Sequence, residues 1–164
     1  MPKAAIIMGS KNDFETVKPA YDVLKNFGVD VTVRVISAHR TPDAAHEFAA
    51  NAVGNGIEVI IAAAGKAAHL GGVIAAFTPL PVIGLPVKSS FMDGLDSLLS
   101  MVQMPAGIPV ACVAVNGSEN AGLLAVQILS LKYSGLIDKM TEYKKRMADK
   151  IIADDARLTA ELNT

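Results

Sequence analysis

The sequence predicts an α/β protein: a five-stranded parallel sheet with helices on both faces. Short apolar or β-branched runs alternate five times with segments of helical character. The first run, Ala4 to Met8, contains no polar residue, as expected for a strand covered on both faces. Helix caps and stops stand at the changes of texture, including Asn12, Gly28, Thr41 and Gly54 or Gly56.

Taken in order, Ala4–Met8 is the first strand. Asn12, with Glu15 three residues on, reads as a capping box opening a helix that runs to Phe27, where Gly28 stops it. Val29 to Ile36 places Val31, Val33 and Val35 at every second position, the pattern of a strand. Thr41 as N-cap and Pro42 at the first helical position start the next helix, which Gly54 or Gly56 ends. Glu58–Ala63 is a third strand, Ala67–Phe77 a helix, Val82–Leu85 a fourth strand and Pro109–Val115 a fifth. Further helices fall at Asp93–Gln103 and Glu119–Lys132. From residue 135 onward, Leu, Ile, Met and Tyr recur at helical spacing among twelve of the chain's thirty-one charged residues, which predicts a long amphipathic terminal helix.

At 164 residues and 51% hydrophobic content, the chain is long enough for one packed domain without a disulfide or metal staple. We expect a single catalytic domain over 1–164, with an α/β core at 1–134 and a helical extension at 135–164. Fifteen basic against sixteen acidic residues leave no broad basic surface, which disfavours nucleic acid or an anionic membrane as partner. The lone Cys112 and the absence of a signal-peptide core near the N-terminus fit a cytoplasmic protein. Leu70 to Val87 is a long uncharged run, but Pro79, Pro81 and Pro86 exclude it as a membrane span. Between 59 and 118 the only charged side chains are Lys66, Lys88, Asp93 and Asp96, so part of this region is expected to meet other subunits.

In an open parallel sheet, ligands bind beyond the carboxyl ends of the strands, which selects the loops at 9–13, 37–41, 64–72, 86–92 and 116–120. Gly9-Ser10-Lys11-Asn12-Asp13 offers backbone N–H groups, a hydroxyl and a carboxylate, suited to a phosphate and a sugar. In Ser37-Ala38-His39-Arg40-Thr41-Pro42, Arg40 and Ser37 can clamp a phosphate while His39 moves protons beside it. Gly65-Lys66-Ala67-Ala68-His69-Leu70 pairs small residues that let a ligand approach the backbone with two side chains able to meet a carboxylate. Read as sequence alone, the first and third loops serve equally well as a capped turn and a close-packed helix start.

Other chemistries fail on residue identity. Ile60 and Ala67 stand where a Walker loop needs Gly and Ser or Thr, and no Gly-x-Gly-x-x-Gly follows the first strand. His46-Glu47 has Ala50 in place of the second histidine of a zinc helix, so no metal site is expected. Ser97 does not lie in a Gly-x-Ser-x-Gly turn.

Met8-Gly9-Ser10-Lys11-Asn12-Asp13, Ser37-Ala38-His39-Arg40-Thr41-Pro42, Ala67-Ala68-His69-Leu70, Leu80 to Val87 and Asp96 to Pro105 together resemble one family, the N5-carboxyaminoimidazole ribonucleotide mutases of bacterial purine biosynthesis. The resemblance implies a flavodoxin-like three-layer fold, a homo-octamer, and a reaction that needs no metal or organic cofactor. It implies that Ser10, Asp13 and Arg40 bind ribose and phosphate with help from Ser37, Gly9 and Asn12. It further implies that His39 transfers protons, and that Gly65, Lys66, Ala67, His69 and Leu70 surround the migrating carboxylate. Related carboxylases that use CO2 directly typically lack the Ala-Ala-His-Leu element, which favours the mutase. A noncatalytic phosphosugar-binding protein on the same fold would have no need of His39 beside Arg40. The chain departs from the usual pattern at Asn12, Lys66 and Gly71, where Ser, Gly and Pro are common, and in a shortened loop at 116–119. We expect Lys66 at a helix start, on the pocket rim or a subunit contact, with an effect on rate below about tenfold.

Overall fold

The structure, a computed structural model, describes residues 1–163. Its strands are β1 (Lys3–Met8), β2 (Asp30–Val35), β3 (Val59–Gly65), β4 (Val82–Val87) and β5 (Ala111–Cys112), all parallel, in the order β2-β1-β3-β4-β5. That is the flavodoxin-like order, in which the chain reverses its direction of travel across the sheet between β1 and β3. The helices are α1 (Phe14–Phe27), α2 (Pro42–Asn51), α3 (Leu70–Ala76), α4 (Leu95–Val102), α5 (Ser118–Ser130) and α6 (Gly135–Leu162).

Strand periodicity divides the core in two. Ala4, Ile6 and Met8 of β1 join Val59, Ile61 and Ala63 of β3 beneath α1, α5 and the start of α6. Ala5 and Ile7, with Ile60 and Ala62, face α2, α3 and α4. Both central strands are buried throughout, which is why neither alternates in polarity. Cutting a fully buried side chain such as Ile61 to Ala costs about 2–5 kcal/mol.

Several predicted boundaries move. The helix cap expected at Asn12 belongs to Ser10, whose hydroxyl accepts the Asn12 N–H at 3.2 Å; a 3-10 turn at Lys11–Asp13 takes up the first turn, and α1 starts at Phe14. Thr41 precedes α2 as expected but does not cap it with its side chain, because its hydroxyl turns back to the N–H and carbonyl of Ser37, 3.0 Å each. The helix expected from Ala67 begins only at Leu70, and α4 begins at Leu95 behind a turn at Met92–Gly94. The fifth strand shrinks from seven residues to Ala111–Cys112. Gly84 and Pro86 turn their carbonyls toward that edge, accepting from Val113 and Asn116 at 3.1 and 2.8 Å, but Pro86 has no N–H to return and the ladder stops.

Gly28 ends α1 as predicted, in the left-handed region at φ 83°. Within α1, Pro19 removes one backbone donor, and the buried Ser118 at the start of α5 reaches into the same turn: its Oγ accepts the Ala20 N–H at 3.1 Å and lies 3.0 Å from the Val17 carbonyl oxygen. At the opposite end of the sheet, Lys132 and Tyr133 bind Glu58 just before β3. Burial pushes the Glu58 carboxyl up, but the Lys132 ammonium, the Lys3 N–H and the Tyr133 hydroxyl outweigh it and hold the group below the usual carboxylate range. Helix α6, 28 residues and about 42 Å long, buries only Leu136 and Met140. Met147, Ile151, Leu158 and Leu162 prolong the same stripe in the open. No helix among the described residues is long and apolar enough to cross a membrane.

Candidate active site

A cavity of about 590 Å³ opens at the carboxyl ends of β1 to β4. Every residue assigned above to substrate binding or proton transfer borders it. Gly9, Ser10, Asn12 and Asp13 come from the loop after β1; Ser37, His39 and Arg40 from the loop after β2; Gly65, Lys66, Ala67, His69 and Leu70 from the loop after β3. Loops as far apart in the chain as Gly9 and Leu70 meet here because β1, first in sequence, lies between β2 and β3 in the sheet.

Arg40 is held from three sides. Its Nη2 donates to the Gly9 carbonyl at 2.9 Å, its Nε to the Ser37 hydroxyl at 3.3 Å, and its backbone N–H to the same hydroxyl at 3.2 Å. Ser37 therefore acts as an acceptor toward Arg40, and Ser10 as an acceptor toward Asn12, which leaves both O–H protons available to an anion in the cavity. Asp13 is half-buried. Burial raises its carboxyl above the usual range, against the opposing pull of the Ser10 N–H and the Arg40 guanidinium. A carboxylate so placed gains from donors a ligand brings, such as sugar hydroxyls.

His39 and His69 touch: Nε2 of the first lies 2.9 Å from Nδ1 of the second, with the rings perpendicular at 89°. The contact joins the loops after β2 and β3 across the end of β1. One ring nitrogen donates to the other, so each imidazole fixes the orientation of its neighbour. His46, rejected above as part of a zinc helix, packs at a tilt against Phe77, ring centroids 4.5 Å apart, away from the cavity.

Lys66 corrects one expectation. It is not at a helix start but in the loop four residues before α3, at φ 58°, a left-handed conformation that costs a residue with a Cβ on the order of 1 kcal/mol and glycine little. That explains physically why glycine suits this position. The cavity also takes in Ala38, Ala64, Val87, Lys88 and Ser89, which sequence reasoning did not select. The loop at 86–92 was marked by its position after the fourth strand, but nothing in Lys88-Ser89 distinguishes a lining residue from a solvated turn. In the fold, Asn116 Oδ1 accepts the Lys88 N–H at 2.8 Å, Lys88 pairs with Asp93 at 2.9 Å, and Ser89 Oγ donates to Asp96 at 2.6 Å. Among the described residues no cluster of His, Cys, Asp and Glu is arranged to hold a metal ion.

Sheet order and cavity together define a doubly wound α/β protein with a polar cleft at its switch point, equipped for an anionic ligand and for proton transfer. The model of the AIR carboxylase family matches residues 3–150, and the chain belongs to that family. It is 53% identical over 158 residues to the N5-carboxyaminoimidazole ribonucleotide mutase of Thermotoga maritima, covering 96% of this chain and 92% of that one. With the mutase of Saccharolobus solfataricus it shares 54% identity over 153 residues, 93% of this chain and 97% of the other. The crystal structure of Treponema denticola PurE superimposes with a TM-score of 0.86 at 30% identity, covering 96% of this chain and 99% of that one.

Proposed function

We propose that this protein interconverts N5-carboxyaminoimidazole ribonucleotide and 4-carboxy-5-aminoimidazole ribonucleotide in purine biosynthesis, moving a carboxyl group from nitrogen to carbon. The observation that carries the reading is the His39–His69 contact, set in the same cavity as the Arg40–Ser37 cluster. The reaction loses CO2 from the carbamate nitrogen, which takes up a proton. The freed CO2 is then captured by C4 of the imidazole, which gives up its own proton. Charges and atoms balance with one group that donates and then accepts.

In this reading His39 is that group, and general acid–base assistance of this kind is worth about 10²–10⁴-fold. Arg40, with the hydroxyls of Ser37 and Ser10, takes the phosphate, and Asp13 accepts from the ribose. Gly9 and Asn12 shape that end, while Gly65, Ala67, His69 and Leu70 wall the carboxyl-transfer end against water. The protein works in the cytoplasm as a homo-octamer. The open apolar stripe of α6 and the exposed Leu95, Leu99 and Val102 on one face of α4 support assembly.

An ATP-free assay tests the reading. The protein should convert N5-carboxyaminoimidazole ribonucleotide rapidly and aminoimidazole ribonucleotide plus bicarbonate only poorly. The reverse preference would make it a carboxylase acting on free CO2, and no turnover of either would remove it from this chemistry.

A further inference from the structure

We infer that Lys66 is a specificity residue that recognises the carboxylate of the carboxylated nucleotide. The inference rests on the reading above and adds which part of the substrate this side chain meets. Three cations border the cavity, Arg40, Lys66 and Lys88, against one carboxylate, Asp13. Two of the three are committed. Arg40 is fixed by Gly9 and Ser37, and Lys88 is paired with Asp93. Lys66 is exposed and makes no hydrogen bond or ion pair with any other described residue, and its backbone stays in the left-handed region at φ 58°. An uncommitted charge on a strained segment of a ligand cavity marks a place where the ligand supplies the partner.

Sheet order identifies which anion that is. Arg40 and Ser37 lie at the β1–β2 side. Lys66 lies at the β3–β4 side, one residue beyond Gly65, which is in register with Val87. Two strand spacings, about 10 Å, separate the two sides, and the His39–His69 contact crosses between them. A nucleotide with its phosphate on Arg40 extends its base toward Lys66, and the charge at that end of the molecule is the carboxylate. The Lys66 side chain is exposed, so it meets that carboxylate from the solvent-facing rim of the walled end and the attraction stays weak. It favours carboxylated over uncarboxylated nucleotide without holding the group so firmly that loss as CO2 is opposed.

Titration calorimetry with 4-carboxy-5-aminoimidazole ribonucleotide and with aminoimidazole ribonucleotide tests this on the wild type, Lys66→Gln, Lys66→Arg and Lys66→Gly. Lys66→Gln should lose about fivefold in affinity for the carboxylated nucleotide, the scale of a solvent-exposed ion pair, with no change for the uncarboxylated one. Lys66→Arg should keep the discrimination, and added salt should erase it. Lys66→Gly should bind like Lys66→Gln but melt higher, which separates the charge from the backbone strain. Equal losses for both nucleotides, or none for either, would overturn the role of Lys66 while leaving the reaction standing. Failure of the wild type to bind either nucleotide would overturn the functional reading itself and the inference with it.

Discussion

His39 Nε2 and His69 Nδ1 face each other at 2.9 Å, although thirty positions separate the two residues in the chain. One nitrogen must donate and the other accept, so the tautomer of one ring fixes that of its neighbour. His69 thereby orients the imidazole assigned to proton transfer. His39→Asn should reduce turnover about 10²–10⁴-fold while leaving nucleotide affinity within about tenfold, because an imidazole that moves protons contributes little to holding phosphate. Single-turnover rates and calorimetric affinities measured side by side check it; near-normal turnover would remove His39 from the chemistry.

Arg40→Ala should act first on binding. A hydrogen bond to a charged group contributes about 1.5–3 kcal/mol, so the substrate concentration for half-saturation should rise at least tenfold. Steady-state kinetics give the answer, and an unchanged value would place the phosphate elsewhere.

Asp13 should trade stability for binding. Its carboxyl titrates above its ordinary value because burial disfavours the charge. The fold therefore favours the protonated form, and that contribution is complete below the unfolded-state value and lost as pH rises through the folded one. Asp13→Asn should melt at least as high as the wild type at pH 7, with less advantage near pH 3, and should bind nucleotide more weakly. Thermal melts across pH with affinities at pH 7 check both; a lower melting point at pH 7 would contradict the assigned direction.

Ser118→Ala leaves the Ala20 N–H and the Val17 carbonyl without the hydroxyl that joins α5 to α1. Abandoned buried polar groups cost about 1–3 kcal/mol each way. Urea unfolding should show a loss in that range, and a neutral result would mean that α1 closes its own ladder around Pro19.

The sheet was legible because Ala4–Met8 and Val59–Ala63 are apolar enough to be recognised as doubly covered strands, and their order then directs attention to the correct loops. Twelve of the seventeen cavity-lining residues were accessible because the loops Gly9–Asp13, Ser37–Pro42 and Gly65–Leu70 carry unusual side chains or small residues at strand ends. Backbone detail was less accessible. Whether Thr41 bonds forward into α2 or back to Ser37 depends on a hydroxyl rotor and the path of one loop. The end of β5 depends on which way Pro86 faces, and the conformation of Lys66 on a φ that lysine seldom adopts. Lys88 and Ser89 gain their place from Asn116, Asp93 and Asp96, contacts that no local spacing encodes.

The docking of α5 on α1 through Ser118 has a consequence in time. Val17, Ala20, Leu24 and Phe27 belong to the core layer that also contains Ala121, Ala125, Val126 and Leu129. A ribosome adding about 5–20 residues per second needs roughly 5–20 s to travel from the end of α1 to the far side of α5. Throughout that interval the nascent chain carries an apolar helix face whose cover has not been synthesised, so the first helix made is among the last to be fully enclosed.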